Sequence, residues 1–189
     1  MLDPYFFGYG SLVNAATHTY RSTHPAQLNG WRRVWRHTSL RDQAFLSVTP
    51  AEGAQIDGLI AEVPNSDWQV LDLRETGYFR SNLDATQLKH GAGAVDVQMY
   101  QTQPELQATP DVRHPILLSY LDVVVQGFLE VFGEDGAERF FETTDGWDTP
   151  VLNDRSNPRY PRSQILTTSQ TALVDAKLAH IGAQIVTPR

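Results

Sequence analysis

The residues able to do chemistry are few, and their types narrow the options. Among 189 residues there is no cysteine, so thiol catalysis, disulfides and thiolate metal sites are excluded. Lys89 and Lys177 are the only lysines able to form a Schiff base. The six histidines, at 18, 24, 37, 90, 114 and 180, show no His-x-His or His-x-x-x-His spacing, and no metal site is expected. Three features remain. Phe7-Gly8-Tyr9-Gly10-Ser11-Leu12 reads as a strand running into small residues. If Gly8 and Gly10 take positive φ, successive backbone N–H groups can converge on an anion such as a carboxylate; a plain tight turn is the other reading. Glu75 shares a helix face with Trp68 and Leu71, within ~60° at about 100° per residue. A carboxylate beside two large apolar groups is partly desolvated, which moves its pKa up toward the range where it can accept and return a proton. The alternative is a solvated or arginine-paired surface acid. Tyr120 and Gly127, seven apart, are nearly eclipsed on one helix and can set a phenol beside a cavity or pack in the core.

Known motifs do not absorb these residues. The third glycine of a dinucleotide fingerprint would fall on Val13, no Gly-Lys-Ser/Thr makes a P-loop, and Tyr9 and Val13 flank Ser11 where a nucleophile elbow needs glycines. Arg155, Arg159 and Arg162 lie in a proline-rich stretch, Trp147 to Arg162. They can clamp a substrate carboxylate or bridge acids such as Asp145, Asp148 and Asp154, and bridging is favoured. Trp31-Arg32-Arg33-Val34-Trp35-Arg36 alternates in a way that fits a strand with a charged outer edge better than nucleic-acid stacking. A net charge of −7 argues the same way, against nucleic-acid and anionic-membrane affinity.

The elements that must position these residues follow from patterning. Strands are predicted at Tyr5–Phe7, Leu28–Ser39, Ala44–Val48, Ile56–Val63 and Val95–Tyr100. Helices are predicted over Trp68–Glu75, with Ser66 or Asp67 as N-cap and Gly77 past its end, from Pro115 to about Phe132 ended by Gly133, over Glu134–Glu142 and over Gln170–Ile181. Trp147–Arg162 is predicted as an ordered loop. Strands first and helices later give an α+β class. No repeat or composition break divides the chain, so residues 1–189 are expected to form a single domain with a C-terminal loop and helix extension from about 145. The start, Met1-Leu2-Asp3-Pro4, has no cationic leader, and the apolar run Pro115–Phe132 is punctuated by Asp122, Gln126 and Glu130. A soluble, cytoplasmic protein with no membrane span is expected; no signal for oligomeric state is present.

The loop Phe7-Gly8-Tyr9-Gly10-Ser11-Leu12, the strand Gly30-Trp31-Arg32-Arg33-Val34, the run Gly58-Leu59-Ile60-Ala61-Glu62-Val63 leading into Leu71-Asp72-Leu73-Arg74-Glu75, and Tyr120-x6-Gly127 together resemble the γ-glutamylcyclotransferase-like superfamily, which includes ChaC and AIG2-type proteins. The resemblance spans about the first two thirds of the chain. It implies a small mixed or antiparallel β-barrel flanked by helices. It implies Glu75 as the catalytic acid/base, with Tyr9, Gly10, Ser11 and Leu12 holding substrate. Tyr78 aligns with a family tyrosine once about four residues are deleted, and Tyr120 extends the set. Asn14 stands where ChaC proteins often have an aromatic, and Trp147–Arg162 has no counterpart. The implied reaction is intramolecular: the α-amine of a γ-glutamyl substrate attacks its own side-chain carbonyl, giving 5-oxoproline and a free amine or amino acid, with no cofactor. A non-catalytic protein binding a γ-glutamyl metabolite or an acidic peptide on the same fold is the alternative.

Overall fold

In a computed structural model the chain is described over residues 3–108 and 113–188; Met1 and Leu2, part of the start read above for a leader, and residues 109–112 and 189 lie outside the described residues. Strand β1 (Tyr5–Gly8) is buried along its whole length because it is paired on both edges. Its side chains still divide by period two. Phe7 enters the main core with Val13, Ile60, Met99 and Phe128, while Phe6 joins a smaller cluster with Leu12, Val63, Trp68 and Leu71. The glycine loop therefore leaves a strand fixed from both faces.

The remaining elements in chain order are β2 (His24–Arg36), β3 (Phe45–Glu62), α1 (Gln69–Arg74), β4 (Tyr78–Asn82), β5 (Leu88–His90), β6 (Val97–Thr102), β7 (Ile116–Leu117), α2 (Leu118–Glu142), β8 (Thr144–Asp145), β9 (Val151–Leu152), α3 (Thr168–His180) and β10 (Ile185–Val186). The class is α+β, as expected, and antiparallel pairing dominates. The main sheet runs β4-β6-β1-β3-β2-β5, with β8 also on β2; a second, parallel sheet runs β10-β9-β7. β1 pairs antiparallel with β3 and parallel with β6. The two strands predicted at 44–48 and 56–63 are halves of the single strand β3. They read as separate because the partly exposed middle of β3, Thr49-Pro50-Ala51-Glu52-Gly53-Ala54-Gln55, breaks the apolar pattern; the register on β2 also jumps between Asn29 and Trp31, where Gly30 takes φ 81°. Past that irregularity the first half of β3 swings over the opposite edge. The Tyr78 hydroxyl donates to the Leu46 carbonyl at 2.8 Å and the Thr102 N–H donates to Ser47 Oγ at 3.1 Å, so the sheet curls round its core. The short strands β4 and β5 carry no clear alternation and escaped prediction.

Two charged features differ from expectation. Arg33 lies on the inner face of β2, not on a charged outer edge, and is fully buried. Its Nε donates to the Tyr9 carbonyl at 2.8 Å and its Nη1 to Thr143 Oγ1 at 2.8 Å, Nη2 reaches the Asp57 carbonyl, and the guanidinium lies 4.8 Å from the Phe128 ring centroid. Burial draws its pKa down to about 9, with Asp57 opposing, so it stays charged at neutral pH. Trp147–Arg162 is ordered, but Arg155 bridges Asp122 (2.7 Å) and Asp175 (2.6 Å) rather than the nearer acids, while Asp145 pairs with Arg32.

The long helix carries the site's far wall. Pro115 does not open it, since Ile116–Leu117 first pair with β9. The two helices predicted on either side of Gly133 are both present: α2 is two helical segments joined at a kink, where Gly133 takes the non-helical φ 70°, ψ −169°. The first turn of α2 has no side-chain cap of its own; instead Asp154 accepts from the Ser119 N–H at 2.8 Å and from its hydroxyl at 2.6 Å. α3 is opened by a capping box between Thr167 and Gln170 and buries Val174 and Leu178 in the main core. Gly127 gives α2 room against the loop: a Cβ there would lie 2.7–2.8 Å from Asn14 N, Cα and Cβ. Gly127→Ala is therefore expected to cost ~1–3 kcal/mol in denaturant unfolding, and the gain of up to ~1 kcal/mol normal for a glycine in an unobstructed helix would contradict this packing.

Candidate functional site

Glu75 is placed by a one-and-a-half-turn helix and the turn that follows it. Asp67 Oδ1 accepts from the Gln69 N–H at 3.1 Å at the start of α1. The inner face of α1 is set by Trp68 and Leu71, both buried, while Val70 and Leu73 point outward. Glu75 ends the helix, its N–H donating to the Leu71 carbonyl at 2.9 Å, and Gly77 at φ 97° turns the chain into β4. Its side chain is only 16% exposed, and Arg74 Nε lies 3.1 Å from its Oε1. The two readings of this acid, desolvated or arginine-paired, are thus both true of it. Burial pushes its carboxyl pKa up, and Arg74 and then Arg162 hold part of that rise back. The protonated form is accordingly the one the fold favours: its stability contribution is lost as pH rises through the raised value.

The glycine loop forms a tight turn at Ser11–Val13, closed by Val13 N–H to the Gly10 carbonyl at 2.9 Å. Neither Gly8 nor Gly10 uses positive φ, so of the two readings the loop takes the plain tight turn. The two glycines are needed for space. A Cβ on Gly8 would lie 2.5 Å from Leu12 Cβ, and one on Gly10 would lie 2.7 Å from the Tyr120 phenol oxygen. Asn14 then locks the turn, its Nδ2 donating to the Val123 carbonyl and Gln126 Oε1, each at 2.9 Å, and its Oδ1 accepting from the Ala16 N–H at 3.0 Å. Two of the singled-out side chains are committed elsewhere: the Tyr9 hydroxyl donates to the Tyr100 carbonyl at 2.7 Å, and Leu12 is buried in the Phe6 cluster. What the loop offers a ligand is the backbone around Ser11, together with Ser11 Oγ. Arg74 ties this loop to the acid, with Nη2 3.3 Å from Ser11 Oγ and Nη1 2.8 Å from the Thr17 carbonyl.

All seven residues singled out, Tyr9, Gly10, Ser11, Leu12, Glu75, Tyr78 and Tyr120, line one small recess of about 30 Å³. The recess adjoins an open cavity of about 130 Å³ that Ser11, Glu75, Tyr78 and Tyr120 also line. Tyr120 stands edge-on to Tyr160 with ring centroids 5.0 Å apart. Burial raises the pKa values of Tyr9, Tyr78 and Tyr120, so the three phenols are neutral at physiological pH; Tyr9 and Tyr78 spend their protons on the Tyr100 and Leu46 carbonyls, and Tyr120 is the one of the three that can donate to a ligand. Sequence reasoning missed Arg74, whose only signal is its place beside Glu75, and Tyr160. It also set aside the clamp reading of Arg159 and Arg162, which line the larger cavity. Among the described residues no cluster of three or more His, Cys, Asp or Glu could hold a metal ion, and no helix is long and apolar enough to cross a membrane.

The match of residues 6–118 to the family described as gamma-glutamyl cyclotransferase, AIG2-like, covers more than half of the chain and shows that it belongs to that family. Among solved structures the fold is similar to that of a gamma-glutamyl cyclotransferase (TM-score 0.56, 12% identity, covering 92% of this chain and 99% of that one). It is likewise similar to an uncharacterized protein from Homo sapiens (TM-score 0.58, 12% identity, 93% and 99%). YkqA from Bacillus subtilis is a third (TM-score 0.56, 18% identity), sharing 74% of this chain but 53% of its own. No curated protein matches.

Because Arg74 is the strongest influence opposing burial at Glu75, Arg74→Gln is expected to raise the Glu75 carboxyl pKa further. A carboxyl-detected NMR titration of the two proteins checks this, and an unchanged or lower value would contradict the coupling.

Proposed function

We propose that the protein is a cofactor-independent enzyme that cyclises a small γ-glutamyl substrate, releasing 5-oxoproline and an amine or amino acid. One observation carries this reading: the largely enclosed Glu75 and the loop residue Ser11 line the same recess. Family membership supports it. In the reaction the substrate α-nitrogen bonds to its own γ-carbonyl carbon, the bond from that carbon to the outgoing nitrogen breaks, and no electron is gained or lost. The enzyme must fold the substrate so that amine and carbonyl meet, an arrangement worth several kcal/mol.

Glu75 takes a proton from the α-ammonium, which turns a cation into a nucleophile, and gives one to the departing nitrogen. A carboxyl group with a raised pKa suits both halves of that exchange. The Ser11 and Leu12 amides hold the substrate carboxylate or the oxyanion that forms at the γ-carbonyl. The neutral phenol at Tyr120 offers a further donor, Tyr78, whose proton goes to the Leu46 carbonyl, lines the recess and offers its oxygen as an acceptor, and Tyr9, Gly10 and Leu12 fix the shape of the loop. The whole chain is read as one domain, with residues from about 145 as an extension.

Assaying a panel of γ-glutamyl compounds for 5-oxoproline by mass spectrometry tests this reading. Glu75→Gln, folded by circular dichroism, should lose ~10²–10⁴ in turnover; wild-type turnover would remove Glu75 from the role. Ligand-dependent thermal stabilisation without product would instead indicate a binding protein. Glu75 must be ionised to accept the first proton. The acid limb of the kcat/KM profile should therefore lie above the ordinary carboxylate range, with activity falling as pH drops through it; a limb at or below the ordinary range would contradict the assignment.

A further inference from the structure

The inner end of the cavity has a use in the proposed reaction, but its rim does not. Arg41, Arg159 and Arg162 line the cavity. The ion pairs of the described residues use Arg32, Arg74, Arg80, Arg139 and Arg155, and none involves these three. In a chain with 22 acidic and 15 basic side chains, unpaired arginines gathered on one concavity are out of keeping with the overall balance. Like charges held together repel, and an anionic ligand relieves that repulsion while gaining charge-assisted hydrogen bonds.

Arg159 and Arg162 are delivered there by a scaffold rather than by a loose loop. Both lie beyond residues 6–118, in the segment between β9 and α3. Buried Asp154 accepts from the Arg159 N–H at 2.9 Å as well as from both Ser119 donors. The Tyr160 N–H donates to Ser119 Oγ at 3.2 Å, and Tyr160 packs edge-on to Tyr120. Arg155 clamps the same segment to α2 and α3 through Asp122 and Asp175. The segment is thus fastened to the turn of α2 that carries Tyr120, and its backbone delivers Arg159 and Arg162 to the cavity lining.

We propose that Arg159 and Arg162 are specificity-determining residues that bind a carboxylate on the amine released from the γ-glutamyl group. This inference rests on the cyclisation reading, which assigns the substrate's own α-carboxylate to the Ser11 loop and leaves the rim arginines facing the outgoing group. The preferred substrates are then γ-glutamyl compounds of acid-bearing amines, and compounds of neutral or cationic amines are disfavoured.

A matched pair isolates the carboxylate: γ-glutamyl-alanine and γ-glutamyl-alaninamide differ only in whether the outgoing group ends in an acid or an amide. Calorimetric Kd values for both ligands are measured on the wild type and on Arg159→Gln/Arg162→Gln, with 5-oxoproline release followed in parallel. The wild type should prefer the acid by on the order of 10- to 100-fold, the range expected for hydrogen bonds to a charged group. In the double variant that ratio should collapse toward ~1. The ratio is the proper readout, because Arg162 also bears on Glu75 and its loss alters absolute rates for both ligands. Arg159→Gln alone, at an exposed position, should lower the ratio in the same direction should the double variant fail to fold. No preference in the wild type, an undiminished preference in the variants, or no binding of either ligand overturns the proposal. The expected Kd ratio without 5-oxoproline from either ligand would overturn the cyclisation reading and leave the carboxylate site standing.

Discussion

The site depends on keeping one carboxylate out of water without letting it become an ordinary ion pair. Glu75 is enclosed enough that burial dominates its ionisation, yet Arg74 touches it at 3.1 Å and restrains the shift. Without the burial the group would be a spectator anion at neutral pH. Without the arginine its pKa would rise further and the ionised form that takes up a proton would be scarcer. The same guanidinium reaches Ser11 Oγ and Thr17, so the residue that tunes the acid also sets its distance from the loop.

The loop in turn is held from below by charge and from the side by missing atoms. Arg33, sunk between Phe128 and Phe140, grips the Tyr9 carbonyl. A buried guanidinium of this kind is tolerated because its donors reach fixed oxygens and its flat faces meet aromatic rings. Gly8, Gly10 and Gly127 leave room for Leu12, Tyr120 and Asn14, respectively. These contacts fix a turn that has no regular sheet pairing of its own, which is what a substrate-orienting backbone requires.

Much of this was legible in the residue order. The strand at Tyr5–Phe7, the inner face of α1 with Glu75 following Leu71, and the break at Gly133 all come from local patterning that the packing obeys. The glycine loop was legible as a site but not in its mechanism, since positive φ and close approach leave the same glycines in a sequence. Arg33 was given the wrong environment, because alternation reports that neighbouring side chains point opposite ways and not what covers them. Arg155 could not be paired correctly from sequence, as its partners Asp122 and Asp175 lie 33 and 20 positions away on two helices that only the tertiary fold brings together. The cavity rim was hidden for the same reason: Arg159 and Arg162 become neighbours of Glu75 only when Asp154 fastens their segment to α2.

The central claim is that Glu75 and the Ser11 backbone act on one bound molecule. A crystal structure of the Glu75→Gln variant with γ-glutamyl-alanine tests it most directly. The account predicts the ligand's α-nitrogen within hydrogen-bonding reach, ~3 Å, of the side chain at position 75, with the γ-glutamyl group held against the amides at Ser11 and Leu12. A ligand whose α-nitrogen faces solvent, or one seated away from the recess, would contradict it.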